Sequence, residues 1–447
     1  MRAAVRDRSP EMRSPDDIIH LFDTKKVDDD WSFAECKPSD TGKWTHDYHR
    51  YPAKFIPQLV EKLINEYISS EEAHINDPFM GCGTTIVTAI SRGFKASGTD
   101  INKIAYLITK VKSTPIEPEY LNKKIEQFLY RLKFLDQTTL FGERVEPLIP
   151  QNHLDRIDYW FTEENKIKLG KILRVINDED NENVKDFFLV AFSHILKSCS
   201  MWLQRSTKPT KDFKKNPADP YDALRKHLKK MQSGNEAFYK VVPLKVRGDL
   251  ENYLNIKIED ARKQPVPNES VDLVVTSSPY VTSYEYADLH QLSTVWLDLA
   301  DDLTNYKKEF IGTSHKRYES KKLKSVIAMD VVDKISKKSK KMAKEVEAFF
   351  IDMEEVFDES FRILKHGGRC CYVIGDTKLK GIDIFNAESF AESIQYSGFK
   401  LDRIIKREIP LKILPQKRDE KTGRFASNNE ANFEAYPMEY IVIGLKE

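Results

Sequence analysis

Two short stretches of this 447-residue chain carry residue types at spacings that can do chemistry. The first is Asp77-Pro78-Phe79-Met80-Gly81-Cys82-Gly83-Thr84-Thr85. It follows Ile75-Asn76 and precedes a helix-forming run that ends near Arg92, so a strand must turn sharply into a helix. Gly81 and Gly83 allow positive φ and the close approach of a ligand to bare backbone. The unpaired amides at the start of the next helix, at Thr84 and Thr85, then face that ligand's polar groups. Asp100 closes the run Lys95 to Thr99, a position from which a carboxylate can accept both hydroxyls of a ribose. The spacing is not Gly-x-Gly-x-x-Gly, and no lysine follows to meet a phosphate, which excludes a P-loop. A glycine pair alone is often only a turn. Asp77 and Pro78 before it, two threonines after it and Asp100 beyond it favour a site for a charged nucleoside cofactor.

The second stretch is Thr276-Ser277-Ser278-Pro279-Tyr280, entered through Val271-Asp272-Leu273-Val274-Val275. An exocyclic amino nitrogen of a nucleobase is a poor nucleophile because its lone pair is delocalised into the ring. Two acceptors on its hydrogens draw it toward tetrahedral geometry; Ser277 Oγ and the carbonyl of Ser278 are placed to supply them. Pro279 stiffens the turn, and Tyr280 offers a flat face for a base to stack on. With a sulfonium methyl as electrophile, orientation and electrostatics carry the rate and no covalent enzyme intermediate is needed. An ordinary turn after a buried strand is the bland reading; the position downstream of the glycine loop outweighs it.

The elements around these stretches imply an α/β chain with a Rossmann-like, doubly wound sheet interrupted by a large helical insertion. Residues 1–43 are polar, broken by Pro10 and Pro15, and read as a loosely attached arm. Residues 44–114 and 241–447 alternate strand and helix, while 115–240 are rich in charge and helix formers, with an apolar helical stretch from Phe187 to Trp202. Alternation resumes at Leu244 to Asp249, read as a strand whose terminal acid, Asp249, either accepts from an adenine amino group or simply caps a helix. Further strands are expected at Arg369 to Ile374, Leu401 to Ile405 and Tyr440 to Gly444, with helices over Met353 to Leu364 and Glu388 to Tyr396.

Basic and acidic residues balance at 71 against 70, so any attraction to a polyanion must be local. Two local basic blocks exist. One includes Arg205, Lys208, Lys211, Lys214 and Lys215 and runs on toward Lys230; the other spans Lys316 to Lys344, with Lys337, Lys338, Lys340 and Lys341, and looks too poor in apolar residues for a core helix. The five cysteines show no metal-ligand spacing, and Cys370-Cys371 read as core thiols, so no metal is expected. No apolar run of about 18 residues and no amino-terminal signal pattern is present, which favours the cytoplasm over a membrane.

Together these motifs resemble those of the amino-group DNA methyltransferases, which use S-adenosylmethionine to methylate cytosine N4 or adenine N6. Asp77 to Thr85 is similar to that family's cofactor loop, and Thr276 to Tyr280 to its catalytic Ser-Pro-Pro-Tyr, with Ser278 where proline is usual. His49-Arg50-Tyr51-Pro52-Ala53-Lys54-Phe55 resembles the segment beside the cofactor's methionine moiety, which implies cofactor contacts from Tyr51, Lys54 and Phe55. Within that resemblance, serine at the first tetrapeptide position favours cytosine N4, with adenine N6 as the alternative. The resemblance spans roughly residues 44–110 and 245–447 and leaves the insertion uncovered; 115–240 is the candidate target-recognition region, although the family's usual circular orders place that region elsewhere. Double-stranded DNA is the implied partner, with a cognate restriction endonuclease beside it. The base must then be flipped from the duplex, at a few kcal/mol of unstacking offset by the pocket and by phosphate contacts from the two basic blocks.

Four rivals share some of these features; one, a plain small-molecule methyltransferase, leaves Ser-Ser-Pro-Tyr without an explanation. An RNA guanine N2 methyltransferase carries a similar loop but an Asp-Pro-Pro-Tyr tetrapeptide, against which Ser277 and the His49 to Phe55 segment argue. A non-catalytic DNA-binding specificity protein of the same fold is expected to lose its pocket acceptors, which are retained here. Cytosine C5 chemistry requires a nucleophilic cysteine, typically after proline, and none of the five follows one.

Overall fold

The computed structural model describes residues 12–51, 54–134, 146–206, 209–281, 286–300, 309–311, 321–409, 417–418, 433–434 and 438–447. Its centre is a seven-stranded sheet: β1 (His74–Asp77), β2 (Lys95–Thr99), β3 (Leu254–Lys257), β4 (Val271–Ser277), β5 (Leu364–Gly375), β6 (Lys400–Glu408) and β7 (Met438–Leu445). In space the order is β3-β2-β1-β4-β5-β7-β6. The first five strands run parallel, and β7 is antiparallel to both its neighbours. Chain order reverses between β1 and β4, paired through Ile75 with Leu273 and Asn76 with Val274. In an open parallel sheet this reversal leaves a crevice at the strands' carboxyl ends.

The alternation in the sequence explains why both faces are covered. Cys370, Tyr372 and Ile374 of β5 point into one core, and Cys371 and Val373 into the other. Over the first face lie α1 (Pro15–Asp23) and three helices from the later part of the chain; over the second lie α2 (Pro57–Tyr67) and α3 (Thr84–Ser91). A third core belongs to the helical block. It joins α4 (Lys103–Ser113), α5 (Pro118–Lys133), α6 (Leu154–Trp160), α7 (Glu163–Asn177), α8 (Glu182–Cys199), α9 (Pro220–Val241) and α10 (Gln291–Trp296). Cys82 of the glycine loop and Trp296 are part of it, so the insertion packs on the back of the first chemical stretch.

Three expectations change. From residue 12 the opening segment is firmly held: Ile18 and Phe22 are buried, Val27 bridges to Lys406 of β6, and Trp31 is buried. The Lys316 to Lys344 block contains a core helix over its described part, α11 (Val326–Ser336), which buries Ile327, Ala328, Val331 and Ile335 against α12 (Lys340–Ile363) and α13 (Asn386–Tyr396). Its lysines mark the flanks of an apolar stripe spaced at three and four residues. Leu244 to Arg247 is a helical turn, not a strand, because Pro243 presets its entry, and β3 begins only at Leu254. Among the described residues no helix is long and apolar enough to cross a membrane.

Candidate active site

Because β1 and β4 are neighbours, the glycine loop and the serine stretch leave the sheet side by side at its carboxyl edge. Gly81 and Gly83 have φ of +47° and +79°, values only glycine adopts cheaply. A Cβ on Gly83 would stand 2.8 Å from Thr109 of α4, and one on Gly81 would meet the ring of Tyr51 at 3.3 Å. Tyr51 thus covers the loop, its own ring 5.0 Å from that of His290. Thr109 Oγ1 donates to the Gly81 carbonyl at 2.9 Å, and Thr85 Oγ1 donates to the Val275 carbonyl of β4 at 3.1 Å. The loop is therefore fastened on both sides.

Asp100 stands where the sequence reading put it, directly after β2. Its Oδ2 accepts from the Gly81 amide at 3.0 Å and its Oδ1 from the Asn102 amide at 2.8 Å. Burial pushes its carboxyl up to about 6, which marks an acid held in a crevice without a cation. Asp77 is deeper; burial pushes it up to about 7, and its Oδ1 accepts from the Phe79 amide at 3.1 Å. The Pro78 carbonyl accepts from Thr99 Oγ1 at 3.0 Å, while Phe79 packs on the first core. Thr84, at the start of α3, is buried. These contacts hold the turn in place.

In the second stretch Ser277 is half-exposed at the end of β4, and among the described residues its hydroxyl has no hydrogen-bond partner. Ser278 is buried; its amide and hydroxyl both point to the Val373 carbonyl of β5, at 3.3 and 3.4 Å. The bond from the Ser278 amide is one that proline at this position could not make. Tyr280, after the half-exposed Pro279, lies against Gly375, where an added Cβ would stand 3.1 Å from its hydroxyl. That hydroxyl donates to Glu439 Oε1 at 3.1 Å.

Not every expected residue joins this group. Lys54 is exposed and donates to the His46 carbonyl at 3.1 Å; Phe55 packs with Trp44 and Ile56 on the second core. Asp249 is corrected outright: it precedes β3, at the amino edge of the sheet, and its oxygens accept from Asn252 at 2.9 Å. It cannot reach a ligand held at the opposite edge. Arg205 is exposed on the loop after α8, and Lys208 lies outside the described residues. Lys337, Lys338, Lys340 and Lys341 are exposed around the turn from α11 into α12. Thr109, His290 and Glu439 were not read from the sequence. Only Glu439, an acid leading into an apolar strand, left a signal there.

The sheet order, with its antiparallel seventh strand, glycine turn and carboxylate at the switch point, defines a Rossmann-like methyltransferase fold. A family model described as DNA methylase, of the N6/N4 methyltransferases, matches residues 6–111. The Type II methyltransferase M.MvaI of Kocuria varians is 31% identical over 431 residues, covering 89% of this chain and 92% of that protein. The Type II methyltransferase M.MjaII of Methanocaldococcus jannaschii is 26% identical over 270 residues, covering 60% and 46%; M.BsoBI of Geobacillus stearothermophilus is 23% identical over 427 residues, covering 81% of each. The chain belongs to the amino-group DNA methyltransferases, and S-adenosylmethionine is its methyl donor.

Proposed function

We propose that this protein methylates the exocyclic N4 of cytosine at a specific site in double-stranded DNA, as the modification partner of a restriction endonuclease. The observation that carries the reading is the adjacency of Ser277 to the Gly81–Gly83 turn across the β1–β4 switch point. The crevice suits the cofactor: Gly81 and Gly83 leave a cradle that side chains would fill, and Asp100 is an acceptor for ribose hydroxyls. When bound, the cofactor supplies an electrophilic methyl on a sulfonium.

The protein's own residues do the rest. Ser277 Oγ and the Ser278 carbonyl accept from the two amino hydrogens and turn the nitrogen lone pair toward the methyl. The contacts of Ser278 with β5 fix the turn that presents that carbonyl. Tyr280 stacks on the flipped cytosine, its ring angle set by Gly375 and Glu439. Tyr51 closes the cradle over the loop. Rate enhancement comes from alignment and from dipoles fixed in advance. Serine rather than aspartate at position 277 supports cytosine over adenine.

Single-molecule sequencing of host DNA with and without this chain tests the reading. N4-methylcytosine at one short motif is expected. N6-methyladenine at that motif would overturn the choice of base, and absence of any modification would overturn the DNA substrate.

A further inference from the structure

The cations that face DNA in this reading need not be the most basic runs of the sequence. His49 Nδ1 is bonded to the Arg50 carbonyl at 2.8 Å, and His49 Nε2 to Ser193 Oγ of α8 at 2.8 Å. Lys197 lies four residues after Ser193, on the same helix face. The link therefore brings Arg50, one residue before the tyrosine that covers the cofactor loop, within electrostatic reach of Lys197. Lys215 completes the group from the loop after α8: its Nζ donates to the carbonyls of Lys197 and Trp202 at 2.8 and 2.7 Å. Lys197 Nζ is fixed on the Ser206 carbonyl at 2.8 Å.

Among the described residues none of these three cations has a carboxylate within ion-pair distance. Asp47 is taken by Lys230, and Asp212, whose charge acts on Lys215 without an ion pair, accepts from the Lys214 amide at 3.0 Å. Burial, then the charges of Arg50 and Lys215, push Lys197 down to about 8. The carboxyl end of α8 accounts for one cation there. It does not account for three, least of all Arg50, which is exposed and outside any helix.

We propose that Arg50, Lys197 and Lys215 form a preformed seat for backbone phosphate of the DNA strand entering the crevice. The inference rests on the DNA-methyltransferase reading and names its anchoring residues. Lys197 and Lys215, half-buried and held by carbonyls before the ligand arrives, lose little side-chain entropy on binding, and a phosphate relieves the mutual repulsion of the three cations. Arg50 ties this contact to the loop that holds the cofactor, so one phosphate sets the register of the strand relative to the methyl donor.

The test is binding of a 30-bp duplex by fluorescence anisotropy over a salt series. Wild type is compared with a triple variant (Arg50→Gln, Lys197→Gln, Lys215→Gln) and with Arg50→Gln alone, whose exposed site protects folding. Loss of roughly tenfold or more in affinity is expected for the triple variant, with a salt slope lower by about 1 to 2 and unchanged affinity for S-adenosylmethionine. A wild-type slope in folded variants would overturn the seat while leaving the methyltransferase reading intact. A wild-type protein that does not bind the duplex would overturn both. If the triple variant fails to fold, Arg50→Gln decides alone: a slope equal to wild type removes the seat.

Discussion

Tyr280, which leaves β4, donates its hydroxyl to Glu439 of β7 at 3.1 Å, with β5 between those strands in the sheet. Glu439 is itself buried beside Arg407 of β6, Oε2 to guanidinium 3.7 Å. The Tyr280 ring is thus held by a polar pair inside the sheet's antiparallel corner, and a residue on the last strand sets geometry at the proposed pocket. Tyr280→Phe removes one hydrogen bond, so stability should fall by only about 1 kcal/mol. Transfer should slow while affinity for the cofactor holds. Glu439→Ala leaves Arg407 buried without its carboxylate and should cost about 3–5 kcal/mol, read as a lower midpoint in thermal melts.

Ser277→Ala deletes the proposed acceptor without touching the cradle. The transfer rate should drop by about 10²–10³-fold or more, with cofactor affinity by calorimetry nearly intact. Parallel loss of both would contradict the assignment.

Gly83→Ala and Gly367→Ala separate strain from collision. Both glycines have nearly the same φ, +79° and +81°, but only Gly83 has a neighbour, Thr109, where a Cβ would stand; Gly367 has nothing within 4 Å. Each should lose about 1–2 kcal/mol from left-handed backbone, and Gly83→Ala more, together with cofactor binding. Equal melting midpoints would refute a tight loop.

Asp100 gives a pH signature with a definite sign. Burial raises it from 3.8 to about 6. The folded protein without cofactor therefore holds that proton more tightly than the unfolded chain. The resulting stability is complete below pH 4 and is lost as pH rises through 6. A ribose acceptor must be ionised, so cofactor affinity should run the other way, weakening roughly tenfold from pH 7 to pH 5. Asp100→Asn should bind weakly at both values; calorimetry at the two pH values checks it.

Replacing Lys337, Lys338, Lys340 and Lys341 with glutamine asks whether the second basic block also meets DNA. These residues sit where α12 begins, and β5 follows that helix and runs back to the carboxyl edge at Gly375. Lower duplex affinity and a flatter salt dependence are expected. An unaltered slope would remove the block from the DNA-binding face.

What the residues alone determined is local. Gly81 and Gly83 announce a positive-φ turn, and Asp100 ends its strand whatever surrounds it. Val271-Asp272-Leu273-Val274-Val275, apolar except for Asp272, must be a buried strand feeding Ser277, because a mainly apolar run of that length fits a parallel sheet covered on both faces. Local reasoning failed where a neighbour overrode it. Pro243 turned Leu244 to Arg247 into helix and moved Asp249 to the wrong edge, and packing against α12 and α13 drew Val326–Ser336 into a core its lysines had disguised. Only the tertiary structure decided that Thr85 and Val275, 190 residues apart, share a hydrogen bond, that Glu439 orients Tyr280, and that His49 brings Arg50 to Lys197. Strand order and helix docking depend on burial of the whole chain, and no short window of sequence contains that information.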